Sequence, residues 1–231
     1  MEPVLFYGIP HGCSFGSIVA LEWLGQPYRL CRIDMINKDA RYARFNPLEE
    51  TPALLLENGE TLTESLAILL HIAARGPERR LGVTGGPAGD RLNQMLAYLH
   101  TSMHGAFAPA WAAYKLEDND PLSARLREMA RESAAECYAY LQSILAKRDW
   151  LLGESRSIAD AYLAGIARWG EDLNLFDLQK DYPALYSYLQ KLKADPAVAF
   201  AHAIEDGKPA QTSGQFLGHV AIGELLSAVA A

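Results

Sequence analysis

The chain has 231 residues, half of them apolar and 21% charged, the composition of a globular protein with enough length for two modest domains. A formal net charge of −7 excludes the basic footprint of a phosphate-backbone binder, so no nucleic-acid partner is expected. Met1-Glu2-Pro3 puts an acid where a secretory leader carries positive charge, and no apolar run reaches the ~18 residues of a membrane span, so a cytoplasmic protein without a membrane partner is expected.

From Val4 the pattern alternates between short strand-like and helix-like segments. Val4 to Tyr7 reads as a strand and Phe15 to Leu24 as a helix closed by Gly25. Tyr28 to Ile33 is a second strand and Lys38 to Phe45 a short helix. Ala53 to Leu56 and Glu60 to Leu62 form a hairpin around Asn58-Gly59, and Glu64 to Ala74 is a further helix. Gly/Pro-rich sequence follows, the composition of an exposed linker. After it the strand signals stop. Helical periodicity marks Arg91 to Tyr114, Pro121 to Ala146, Ile158 to Leu173 and Tyr182 to Lys193. Ser157 and Asp160 have capping-box spacing, worth about 1 kcal/mol to a helix start. The divisions are thus 1–77, a linker at 78–89, a helical domain at 90–205, and a tail at 206–231 with a short docked helix within Phe216 to Ala230.

Three cysteines, at 13, 31 and 137, form neither a CxxC pair nor an even framework, which fits a reducing compartment. Cys31 and Cys137 fall inside a strand and a helix, where a free thiol simply packs. Cys13 follows Pro10-His11-Gly12 between the first strand and first helix, where the helix dipole favours an anion and lowers a thiol pKa. Ser14 is a competing nucleophile or donor with helix capping as its structural alternative. Tyr7 is a third candidate donor, with core packing as its alternative. Thr51-Pro52 precedes the third strand and marks an ordered turn whose isomer the residues leave open. Glu64 and Ser65 open a helix, where backbone N–H groups, a hydroxyl and a carboxylate can hold an α-amino-acid group; capping is the structural alternative.

Taken together, Pro10 to Ser14, Asn46-Pro47-Leu48-Glu49-Glu50-Thr51-Pro52-Ala53-Leu54 and Leu62-Thr63-Glu64-Ser65-Leu66-Ala67-Ile68 resemble the glutathione transferase family in order, spacing and residue type. Leu151-Leu152-Gly153 leading into Ser157 to Leu163 is similar to that family's helical-domain signature. The resemblance spans about residues 4 to 205 and is strongest to the bacterial beta class, which carries a cysteine at this position.

It implies an α/β thioredoxin-like N-terminal domain followed by an all-α domain, a homodimer, and glutathione as co-substrate with a small electrophile and no metal. It implies Cys13 beside the glutathione sulfur, either stabilising its thiolate for attack on the electrophile or exchanging a mixed disulfide with it, the Thr51 backbone paired with the cysteinyl unit, a cis Pro52, and Glu64 and Ser65 on the γ-glutamyl group. By the same resemblance His104 approaches the sulfur; Lys38, on the short second helix, is a candidate for the glycyl carboxylate, with a solvated lysine as its structural alternative. His11, Phe107, Trp111 and Trp169 are the implied contacts for the electrophile, placed between the domains. The beta-class lysine after the histidine is Gly105 here. His100 and His104 stand four apart without the HExxH glutamate, so zinc is not expected. A non-catalytic binding protein, and a glutathione-dependent isomerase or dehalogenase, are alternatives on the same fold.

Overall fold

The computed structural model describes residues 2–9, 11–82, 85–117 and 120–229. At its centre the strand-forming runs β1 (Val4–Ile9) and β2 (Pro27–Asp34) lie parallel, with Phe6 opposite Cys31. A parallel pair needs a crossover, and the apolar helix α1 (Phe15–Leu24) supplies it. It ends where Gly25 turns left-handed at φ 68° and donates its N–H to the Leu21 carbonyl at 3.1 Å. The hairpin β3 (Ala53–Leu55) and β4 (Thr61–Thr63) adds antiparallel to β1, and α2 (Ser65–Arg75) follows. The short helix expected over Lys38 to Phe45 is a 3-10 turn, Ala40–Arg44, with Asp39 capping it and Lys38 before its start.

Two compact units divide the chain: Met1–Val83 with Ala194–Ala231, and Thr84–Lys193. The second unit is helical. Its elements are α3 (Gly86–Tyr98), a π turn at Leu99–Met103, α4 (His104–Ala106), α5 (Ala108–Tyr114), α6 (Pro121–Leu145), α7 (Ile158–Ile166), α8 (Trp169–Asp172), α9 (Leu178–Asp181) and α10 (Pro183–Lys193).

Two continuous helices expected from periodicity are broken, each for a local reason. Over Arg91 to Tyr114 the π turn intervenes, and Pro109, lacking an N–H, falls in the first turn of α5. Over Ile158 to Leu173 the hydroxyl of Tyr138 enters the ladder, donating to the Ala167 carbonyl at 2.6 Å and accepting the Gly170 N–H at 3.1 Å. Gly170 is required there because a Cβ would collide with that hydroxyl.

The capping box forms as expected and is more deeply engaged than a cap. Asp160, fully buried, accepts from the Ser157 N–H (2.7 Å) and hydroxyl (2.8 Å), from the Leu151 N–H (3.0 Å), and from the Tyr188 hydroxyl.

The remaining elements return to the first unit, so residues 194–205 pack with the sheet although sequence grouped them with the helices. Helix α11 (Pro196–Glu205) is capped by Asp195, which also accepts the Trp23 indole N–H from α1 at 3.0 Å. The tail expected to hold only a helix forms first a strand, β5 (Gln215–His219), parallel to β2, and then α12 (Ile222–Val229). Ala230, the expected helix end, lies outside the described residues. The sheet order is β4-β3-β1-β2-β5.

Glu22, buried in α1, fastens this tail. It accepts the Tyr28 hydroxyl (2.5 Å), the Thr212 hydroxyl (2.8 Å), and the N–H groups of Ser213 (2.6 Å) and Gly214 (2.8 Å). Ile222 and Leu225 of α12 then close a core cluster with Phe6, Cys31, Tyr42 and Phe45.

Candidate functional site

The turn from β1 into α1 places Cys13 two residues before the first residue of the helix. Its thiol donates to the Thr51 carbonyl at 3.4 Å and has the Ser65 hydroxyl as a second hydrogen-bond neighbour. Three segments far apart in sequence therefore meet at one sulfur. Burial pushes the Cys13 thiol up to about 11, outweighing the hydrogen bond from Ser65. This reverses the lowered pKa expected from the helix start: desolvation of the thiolate exceeds the favourable field.

Ser14 is fully buried, and its hydroxyl accepts the Gly8 N–H at 3.1 Å instead of capping α1. Gly8 must lack a side chain, because a Cβ would collide with the Thr51 hydroxyl. His11 holds a positive φ of 34° in the same turn; Pro10 lies outside the described residues.

The Thr51–Pro52 bond is cis. The loop before it is braced from inside: the Asn46 side-chain amide donates to the Glu50 carbonyl at 2.8 Å, the Tyr42 hydroxyl donates to the same carbonyl at 2.7 Å, and Asn46 accepts the Leu48 N–H at 3.1 Å. Asn46, one residue of the Asn46–Leu54 motif, is buried, and its burial gives it this supporting role.

Glu64 is exposed and sits at φ 70°, a left-handed conformation that costs a non-glycine residue about 1–3 kcal/mol, directly before the N-terminus of α2. Ser65 behind it is buried. Lys38 is exposed. Tyr7 turns away from this cluster: its ring is buried and its hydroxyl shares a 3.0 Å hydrogen bond with His219 Nε2 on β5.

In the second unit His104 opens α4. Its Nδ1 shares a 2.8 Å hydrogen bond with the Tyr162 hydroxyl, to which His100 also comes at 3.2 Å. Burial first, and the neighbouring His100 second, lower His104 to about 4, so the ring is neutral at physiological pH. Phe107 and Trp111 meet the Trp169 ring edge-on, at centroid distances of 5.6 and 5.3 Å. Phe107 and Trp169 are buried, and Trp111 alone of the three keeps open ring surface. Gly105 is exposed and has no atom within 4 Å of an added Cβ.

A strand-to-helix thiol facing a cis-proline loop, on a mixed sheet and followed by a helical unit, defines a thioredoxin-like protein with a helical C-terminal domain. The comparisons narrow that class. Residues 13–75 match the family model for the glutathione S-transferase N-terminal domain, and residues 102–196 match the model for its C-terminal domain. A glutathione S-transferase of Xanthomonas campestris is 30% identical over 84% of this chain and 95% of its own length. The structure of a sphingomonad glutathione S-transferase complexed with glutathione superposes with a TM-score of 0.76 at 31% identity, covering 88% of this chain and 98% of that one. A bacterial beta class enzyme from Sphingomonas chungbukensis gives 0.77 at 28% identity, covering 87% and 98%. The chain belongs to the glutathione transferase family.

Proposed function

We propose that this protein conjugates glutathione to small electrophiles, with Cys13 serving as a hydrogen-bond donor to the glutathione thiolate. The observation that carries this reading is the position of the half-buried Cys13 thiol, which donates to the Thr51 carbonyl at 3.4 Å and has the Ser65 hydroxyl as its second neighbour. Desolvation raises the Cys13 thiol pKa and favours its neutral form, and a neutral S–H can donate to a bound sulfur anion. Stabilising that anion raises the thiolate fraction of glutathione. The glutathione sulfur then forms its bond to the electrophilic carbon as the leaving group departs with its electron pair.

Around that sulfur, the Thr51 backbone would pair with the cysteinyl unit. The N-terminus of α2 and the Ser65 hydroxyl would hold the γ-glutamyl carboxylate, and Glu64 its ammonium. Lys38 would take the glycyl carboxylate, and His104 would contribute to the site as a neutral ring. His11, Phe107, Trp111 and Trp169 are the proposed electrophile contacts. A homodimer in the cytoplasm completes the proposal. Among the described residues no helix is long and apolar enough to cross a membrane.

Conjugation of glutathione to an activated aryl chloride tests the reading, run beside intact-mass analysis after incubation with glutathione disulfide. The wild type should turn over, Cys13→Ala should lose about tenfold or more in kcat/KM as one thiolate hydrogen bond disappears, and no stoichiometric adduct should form at neutral pH. Unchanged turnover in Cys13→Ala would remove the cysteine from the reaction.

A further inference from the structure

Two histidines of the helical unit meet one buried hydroxyl. The π turn Leu99–Met103 runs into α4, and the His104 N–H donates to the Leu99 carbonyl five residues back. Such a widened turn inside a helix recurs at functional sites. His100 and His104 share one face of it, with ring centroids 6.0 Å apart and planes nearly perpendicular at 86°. Tyr162, fully buried on α7, brings its hydroxyl to 2.8 Å from His104 Nδ1 and 3.2 Å from His100 Nδ1. Asp160 pins the start of α7 through the Ser157 and Leu151 N–H groups, so that hydroxyl has a fixed seat.

A phenol has one proton to give and lone pairs to receive, so it cannot donate to both rings. The 3.2 Å contact is too long for a hydroxyl donor, about 2.5–3.0 Å, and suits an N–H donor, about 2.7–3.2 Å. Donation therefore runs from His100 Nδ1–H to the Tyr162 oxygen, and from the Tyr162 hydroxyl to His104 Nδ1. Each link polarises the next. Burial keeps the His104 ring neutral, and a neutral imidazole carries one N–H; with Nδ1 accepting, the proton lies on Nε2. That nitrogen is uncommitted. Among the described residues the His104 side chain has no other hydrogen bond, and Nε2 is not one of the buried polar atoms sealed without a partner.

We propose that Tyr162 is a positioning residue for glutathione conjugation: with His100 behind it, it fixes His104 as the Nε2–H tautomer, so that this ring gives the glutathione thiolate a hydrogen bond in addition to that of Cys13. The proposal rests on the reading that His104 contributes to the glutathione site. The opposite tautomer would turn a lone pair toward the sulfur and repel the anion. Phenylalanine at 162 keeps the ring and loses the assignment.

Proton–nitrogen correlation spectra of the full chain, isotopically labelled at the histidine nitrogens, read the tautomers directly, with His104→Gln identifying the signals. At neutral pH the His104 proton is expected on Nε2, and His100 is expected to carry one on Nδ1. The His104 Nε2 signal should move on adding glutathione, and not on adding the analogue in which a methyl group replaces the thiol. Tyr162→Phe should leave His104 a mixture of tautomers and lower kcat about threefold to tenfold, as His104→Gln does, and the double variant should lose no more than either alone. A His104 proton on Nδ1 in the wild type would overturn the proposal whether or not the variants fold. An unchanged tautomer in Tyr162→Phe, or additive losses in the double variant, would also overturn it. Calorimetry separates the two readings: if both peptides bind and His104 Nε2 does not distinguish them, this proposal alone fails, and if neither binds, the glutathione reading fails and takes this one with it.

Discussion

Replacing Glu22 by glutamine probes the tail at its fastening point. Its Oε2 accepts the Ser213 N–H at 2.6 Å, the Gly214 N–H at 2.8 Å, and the Ser213 hydroxyl at 3.0 Å, while Oε1 takes the Tyr28 and Thr212 hydroxyls. The amide keeps one acceptor oxygen and turns an NH₂ toward groups that are themselves donors. Each hydrogen bond to a buried charged acceptor is worth about 1.5–3 kcal/mol, but these share one carboxylate and do not add. Leaving part of the set unpaired should cost about 3–5 kcal/mol, most of it in docking of the tail. Hydrogen exchange at the amides of Ser213 to His219 reads that cost locally, and urea unfolding reads the global part. Protection of β5 equal to wild type, with a stability loss below about 1 kcal/mol, would show that Glu22 does not hold the tail.

Other consequences follow from single sites. Iodoacetamide labelling of Cys13 should accelerate with pH toward an apparent pKa near 11, and at pH 7.5 should run about 100-fold slower than an unperturbed thiol; a titration midpoint below 8.5 would contradict the burial effect. His104 titrates from 6.5 down to about 4 on folding, so the unfolded chain binds the extra proton first and stability should fall as pH drops through that window. His104→Gln should flatten that slope in thermal melts taken between pH 7 and pH 4. Asp160→Ala should cost about 3–5 kcal/mol in urea unfolding, since it strands buried donors at Ser157, Leu151 and Tyr188; a cost near 1 kcal/mol would return it to an ordinary cap.

Where sequence reading succeeded, the signal was local. The strands at Val4 and Tyr28, the helix closed by Gly25 and the Ser157–Asp160 box are written in adjacent residues. The grouping of Cys13, Thr51 and Ser65 was legible only through the motif resemblance, since nothing near each residue says that they meet.

The failures share a non-local cause. β5 is half-exposed along its length, and Phe216 is fixed by rings distant in sequence, Tyr28 at 5.6 Å and Phe200 at 5.2 Å. Its apolar run therefore blended into the following helix. Glu22 is the sole acid in the apolar stretch Phe15–Leu24, a mark that a partner waits elsewhere, but all its partners except Tyr28 lie some 190 positions on. The Cys13 pKa followed burial by tertiary packing, which a helix start alone does not encode. His219 meets Tyr7 only because the tail returns to the sheet.

The account turns on where the glutathione sulfur sits. A crystal structure of the complex with reduced glutathione measures this directly. The account predicts the ligand sulfur within hydrogen-bond reach of Cys13 Sγ, about 4 Å or less for a sulfur pair, with the γ-glutamyl group on Glu64 and Ser65 and no disulfide density. A ligand sulfur turned away toward Tyr7, or joined covalently to Cys13, would contradict it.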